Sequence, residues 1–184
     1  MAAQARGLAA LPYRPCVGIM VLSCDGLVWA GNRAWAHSND AEGPESWWQM
    51  PQGGVDANED LDRAALRELA EETGIRSVSI LAASRGWYVY DFPPQFVGRQ
   101  RGTVYRGQRQ KWFAVRFLGD DDEIDISAGP DALPEFTQWR WLPMGELAKL
   151  VAPFKRQVYT EVVAEFARWG ASVGDSPKKP SPRR

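Results

Sequence analysis

The chain has a single histidine, two cysteines, no long apolar run and almost no net charge among its 184 residues. One histidine, His37, rules out any zinc site built on a His pair. It also leaves a Ser-His-Asp triad only if that residue serves, and His37 sits in a polar, loop-like stretch. Cys16 and Cys24 are too few for a disulfide scaffold and lack C-x-x-C spacing. They read as reduced thiols in a cytoplasmic protein. No stretch reaches 18 uninterrupted apolar residues, so no membrane span is expected. Residues 1–12 carry one Arg and no long apolar core, too little for a signal peptide. Lys and Arg number 22 against 23 Asp and Glu, a net charge of -1. That excludes a strongly basic DNA-coating surface and confines any nucleic-acid contact to a local patch.

What is present is ordinary globular material: 45% hydrophobic, 24% charged, with nine Trp that need a core or stacking partners. The length suits one domain, expected over residues 13–169. A leader is expected at 1–12 and a flexible basic tail at 170–184, where Ser, Pro, Lys and Arg dominate. Apolar runs at 16–22 and 27–30 flank Asp25-Gly26, a hairpin signal. Further strands are expected at 77–83, 86–92, 111–118 and 139–142, with polar loop at 31–46. Helices are expected over about 59–73 and about 154–169, with a short turn at 144–150. Asn58 is the expected N-cap of the first and Gly74 its stop. Strands scattered among helices, without a βαβ rhythm, predict a mixed sheet in an α/β fold.

Residues 53–75 read GGVDANEDLDRAALRELAEETGI. In helical projection Glu68, Glu71 and Glu72 share one face, with Leu66, Leu69 and Ala70 roughly opposite. Three carboxylates on one ridge repel one another unless a cation sits among them. A hard divalent ion such as Mg²⁺ or Mn²⁺ takes such oxygens. An isolated E-x-x-E-E is usually a solvated acidic face, and its surroundings change that reading. Gly53-Gly54, after the Pro-bounded Trp48–Gln52 segment, lets backbone approach a ligand or metal. Arg67 can hold a carboxylate through a bidentate pair.

Gly53, Glu59, Arg67, Glu68, Leu69, Glu71, Glu72, Gly74 and Ile75 fall at the spacing of the Nudix box, G-x5-E-x7-R-E-U-x-E-E-x-G-U, with U a bulky aliphatic. The seven single-residue positions alone match by chance on the order of 10⁻⁹ per starting point. Around it stand Tyr13-Arg14-Pro15, WQMPQGG from Trp48, QRQKWF at 108–113, Pro134-Glu135-Phe136, Trp139-Arg140-Trp141, and Phe154-Lys155-Arg156 with Val158-Tyr159. In this order they resemble the Nudix branch of bacterial RNA pyrophosphohydrolases and plant-type diadenosine tetraphosphate hydrolases. The segment Tyr90-Asp91-Phe92-Pro93-Pro94 is closer to the plant-type pattern. The polar stretch at 34–46 is longer than in the bacterial enzymes, Arg109 replaces a frequent Lys, and Cys16 a common Asn.

The resemblance implies an α/β/α sandwich with a mixed sheet, and hydrolysis of a phosphoanhydride with two or more Mg²⁺ ions, Mn²⁺ substituting. It implies metal ligation by Glu68, Glu71 and Glu72, the Gly53 carbonyl and the distant Glu135. Glu68 is the favoured base, with Glu71 or Glu135 as alternatives, and Arg67 supports it. Arg14, Arg33, Lys111 and Lys155 are candidate substrate cations, and Tyr90 and Phe154 candidate stacking partners for a base. The implied substrate is the 5′-triphosphate end of RNA, with diadenosine tetraphosphate as the rival. A decayed, purely binding Nudix module is the reading from another class, and the intact carboxylates argue against it. No membrane and no obligate protein partner are expected.

Overall fold

The computed structural model describes residues 10–33, 47–94, 97, 99–100, 102–127 and 133–170. The tail beyond 170, most of the leader and residues 34–46 of the stretch expected as loop lie outside these residues, while its first three residues, 31–33, are strand and not loop.

The frame is set by two long strands, β1 (Tyr13–Leu22) and β9 (Gly107–Phe117), which pair in parallel over ten positions from Tyr13↔Gly107 to Leu22↔Arg116. Each changes antiparallel partner partway along. β4 (Gln52–Gly54) pairs the N-terminal half of β1, and β2 (Val28–Arg33) joins its end at Leu22↔Val28. Likewise β6 (Tyr88–Asp91) pairs the start of β9 and β5 (Val78–Ala83) its end. β3 (Trp48–Gln49) and β10 (Phe136–Leu142) flank β2. The main sheet is thus mixed, in the order β10-β2-β1-β9-β5, as its sequence pattern predicts. A separate ribbon joins β7 (Arg99–Gln100) to β8 (Thr103–Val104).

Alternation along β1 sorts two cores. Val17, Ile19 and Val21 meet Phe113, Val115 and Phe117 beneath helix α1 (Leu61–Thr73). Met20 and Leu22 meet Trp112 and Ala114 beneath α2 (Leu147–Leu150) and α3 (Arg156–Phe166). Helices on both faces make an α/β/α sandwich. Gly18 is required at the second face, because an added Cβ would lie 2.5 Å from the Trp112 ring.

Several expected boundaries shift. α1 starts at Leu61 after Asp60, and Asn58 instead turns the chain with φ 64°. Gly74 ends α1 with φ 72°, as its position suggests. The second long helix splits, with 3-10 turns at Pro153–Lys155 and Ala167–Trp169 around α3. β3 and β4 go unpredicted because two or three residues carry no periodicity. Cys16 is buried and Cys24 exposed, both as free thiols. Among the described residues no helix is long and apolar enough to cross a membrane.

Candidate active site

The helical projection needs one correction. α1 buries Ala64, Ala65, Leu69 and Thr73, while Leu66 is exposed. At 100° per residue, Glu68 and Glu72 therefore lie inside the buried arc, between Ala64 and Leu69. Glu68 and Glu72 face the protein while the Glu71 side chain stays 58% exposed, and the sheet beneath must make room for the first two. β4 does so with two glycines. A Cβ on Gly53 would lie 1.8 Å from Glu68 Oε2, and one on Gly54 would lie 2.3 Å from Arg14 Nη2. The pair thus admits a carboxylate at one residue and a guanidinium at the next.

Arg67 organises the ridge. Its Nε and Nη2 donate to the two oxygens of Glu59, each at 2.8 Å. Nη1 donates to Glu68 at 2.8 Å and to Glu71 at 3.1 Å, and Nη2 also reaches the Gly54 carbonyl at 2.9 Å. Glu59 further accepts from the Asp56 amide at 3.0 Å. These bonds, Arg67 first, lower the Glu59 carboxyl to about 2. Glu68 moves the other way: burial raises it, and Arg67 opposes the rise. Glu72 accepts from the Gln52 amide at 3.1 Å. Burial pushes Glu72 well above the ordinary carboxylate value, the Glu135 charge adds to this, and the Gln52 N–H opposes it.

Glu135 enters from the loop before β10 and pairs with Arg33 at 3.3 Å. Arg33 stands at the end of β2 opposite Phe136, which explains how residues a hundred positions apart meet. Lys155 is 3% exposed and donates to Gln49 Oε1 at 2.9 Å. Burial, aided by Arg33 and opposed by Glu135 and Glu72, lowers its ammonium to about 7. Gln49 Nε2 is buried with no hydrogen-bond partner among the described residues. Beside it lies an aromatic group, Phe154 with its ring 5.7 Å from Tyr90 and 6.3 Å from Trp47. Tyr90 is 6% exposed and donates to Gln108 Oε1, so its ring belongs to the core edge as well.

The structure therefore gathers Arg33, Glu135, Glu72, Lys155, Tyr90 and Phe154 around one end of α1, with Arg14 and Glu68 along β4. Lys111 stands apart. It faces away from Gln108 and Gln110 on β9 and donates to the Arg85 carbonyl at 3.4 Å. Sequence reasoning passed over a chain of glutamines. Gln110 Nε2 donates to both Gln52 and Gln108 at 3.1 Å, and Trp112 Nε1 donates to Gln110 at 3.2 Å. Their alternation with Arg109 and Lys111 along β9 was the available signal.

Four carboxylates and the Gly53 backbone form a donor set of the hard-oxygen type that divalent cations take. Among the described residues no three of these groups converge as a closed ligand set, since Arg67 holds Glu68 and Glu71. The crowding of Glu68, Glu72 and Glu135 nonetheless leaves negative charge that a cation would neutralise.

The profile described as NUDIX domain matches residues 12–162. The RNA pyrophosphohydrolase of Brucella anthropi is 54% identical over 157 residues, 85% of this chain and 90% of that protein. The RNA pyrophosphohydrolase of Rhizobium meliloti is 54% identical over 158 residues, covering 85% and 95%. The dihydroneopterin triphosphate pyrophosphohydrolase of E. coli superposes with a TM-score of 0.60 at 19% identity, over 83% of this chain and 98% of that one. The C. elegans Ap4A hydrolase in a binary complex gives 0.53 at 17%, over 83% and 98%. These structures share the fold. With the box assembled around Arg67 and the profile spanning nearly all the described sheet, the chain belongs to the Nudix family.

Proposed function

We propose that this chain is a divalent-metal-dependent pyrophosphohydrolase of nucleoside polyphosphate ends. Its substrate is the 5′-triphosphate end of RNA, from which it releases pyrophosphate to leave a 5′-monophosphate and so promotes mRNA decay. The observation that carries the reading is the Arg67 clamp, which presents Glu68 over Gly53 while leaving Glu72 and Glu135 crowded beside it. The relatives named RNA pyrophosphohydrolase, at 54% identity, support the choice of substrate.

Gly53, Glu68, Glu71, Glu72 and Glu135 would hold two or more Mg²⁺ ions, with Mn²⁺ able to substitute. Such ions supply charge neutralisation at phosphoryl oxygens and lower the pKa of bound water. Glu68, raised by burial, orients the attacking water and takes its proton. Water adds to phosphorus, the bridging P–O bond breaks, and pyrophosphate leaves with the electron pair. Arg14 and Lys155 hold phosphate oxygens, and Arg33 balances Glu135. Phe154 stacks the terminal base, with the unpartnered Gln49 amide available to its edge. Catalysis rests on positioning and charge, without a covalent intermediate.

The test is product analysis of triphosphorylated RNA beside diadenosine tetraphosphate, each with Mg²⁺. Pyrophosphate and monophosphorylated RNA are expected. ATP and AMP from the dinucleotide, with the RNA untouched, would refute the reading.

A further inference from the structure

The helix layer over the α1 face of the sheet stops short of one edge. Register defines a row on that face: Gly53 pairs with Val17, and Val17 with Lys111. Gly53 faces Glu68 and Val17 packs under α1, so the row starts at the site. α1 packs over β4, β1 and β9. Beyond β9, β6 continues the sheet with Tyr88 opposite Gln110 and Val89 opposite Arg109. There Trp87 is 41% and Val89 47% exposed. Arg109 is exposed, and its guanidinium lies 5.0 Å from the Trp87 ring centroid. Among the described residues neither Arg109 nor Lys111 has a carboxylate partner; they contact the Trp87 ring and the Arg85 carbonyl instead. Residues 92–119 contain five Arg, one Lys and no acidic residue.

An exposed indole with an arginine over one face keeps the other face for a planar ring. Cations beside it without carboxylates suit a phosphate backbone. This pairing of stacking surface and charge is how proteins bind single-stranded nucleic acid without reading its sequence. We propose that the β6 edge, formed by Trp87, Val89 and Arg109 beside Lys111, receives the nucleotides that follow the triphosphorylated end of an RNA. At roughly 4.8 Å per strand, β6 lies about 15 Å across the sheet from Gly53. Because Tyr90 beside Phe154 alternates with Val89, an RNA whose first base sits on Phe154 reaches Trp87 and Val89 by passing over the β6 edge. The inference rests on the RNA reading and deepens it, since the edge selects polynucleotide over dinucleotide.

The experiment compares wild type, Trp87→Ala and Arg109→Ala on three substrates: a triphosphorylated RNA decamer, a triphosphorylated dinucleotide and diadenosine tetraphosphate. Wild type should favour the decamer over the dinucleotide in kcat/KM. Each variant should lose about tenfold on the decamer and nothing on the short substrates, as loss of one stacking or charged contact implies. Arg109→Ala should also flatten the salt dependence. Melting temperatures confirm that the variants fold. Retention of the length preference in both variants would overturn the proposal, as would equal losses on all three substrates. So would a change in sedimentation mass with no change on RNA, which would make this edge a contact between copies. If wild type leaves every triphosphorylated RNA intact, the functional reading fails separately. The edge is then judged by anisotropy with a labelled 5′-monophosphorylated decamer, which both variants should bind about tenfold more weakly; unchanged affinity overturns it.

Discussion

Gly53→Ala tests how tightly the site is built. The added methyl would sit 1.8 Å from Glu68 Oε2 where ordinary contact begins at 3.4 Å, so the carboxylate must retreat by about 1.6 Å. It cannot do so freely, because Glu68 shares Arg67 Nη1 with Glu71, and Arg67 is fixed by both oxygens of Glu59. A misplacement of about 1 Å at a reacting group costs roughly a hundredfold in rate. The variant should therefore lose on the order of 10²-fold in kcat with a small change in KM. Tm should also fall modestly, because moving Glu68 breaks its bond to Arg67, while the backbone at Gly53, with no positive φ, adds no strain. Gly54→Ala instead displaces Arg14 and should raise KM more than it lowers kcat. Gly86→Ala, with nothing within 4 Å, is the silent control. The assay is initial-rate pyrophosphate release with thermal melts alongside. A Gly53→Ala enzyme within threefold of wild type would refute the claim that Glu68 is held in place over that residue.

Glu72→Gln should weaken Mg²⁺ binding in calorimetric titration and cut kcat sharply while circular dichroism stays unchanged. Full affinity would remove Glu72 from the ligand set. Phe154→Ala should raise KM about tenfold to a hundredfold on substrates with a base and spare inorganic polyphosphate; equal losses on both, with a large fall in Tm, would make Phe154 a packing residue only. Glu59 carries a carboxyl lowered from 4.5 to about 2, so its contribution to stability is present above 4.5 and lost as pH falls through about 2. Glu59→Gln should lower Tm at neutral pH, and the gap from wild type should close in strong acid. Lys155 is shifted from 10.5 to about 7, so between these values the unfolded chain holds the proton that the folded chain lacks. Stability from this group should rise with pH across that window, and Lys155→Met should remove the slope in pH-dependent melts.

The box was legible because its residues sit at fixed spacing along one short strand, the loop after it and one helix, a segment of 23 residues where sequence distance and spatial distance agree. The strands of the main sheet were legible in type, since β1 and β9 carry apolar runs. Their partners were not. Nothing local in Tyr13–Leu22 says that Gly107–Phe117 lies alongside it, and nothing in the three residues of β4 marks them as strand. The orientation of the carboxylate ridge also escaped the helical projection. The projection set Leu66 opposite the carboxylates without saying which face is buried, and in the fold Leu66 is exposed while the small Ala64 and Ala65 are buried beside Glu68 and Glu72. Lys111 illustrates the remaining limit. Its place in a matching motif grouped it with Lys155, whereas strand alternation sets it on the other face of β9 from Gln108 and Gln110, with its ammonium toward the Arg85 carbonyl.

The parallel pairing of β1 with β9 also governs the order in which the protein can form. Each pair joins residues 94 positions apart, as in Tyr13↔Gly107. Closing so long a loop costs chain entropy before any contact repays it, which slows folding relative to local structure. On the ribosome, the hairpin of β1 and β2 and the helix α1 can emerge early, yet the sheet that seats α1 lacks its central neighbour until residue 117 has cleared the exit tunnel. The Nudix helix, with the Arg67 clamp on its carboxylates, is therefore synthesised well before the sheet that seats it is complete. The site is complete later still, because Glu135 before β10 and Lys155 before α3 emerge only after β9, the strand that docks beside β1.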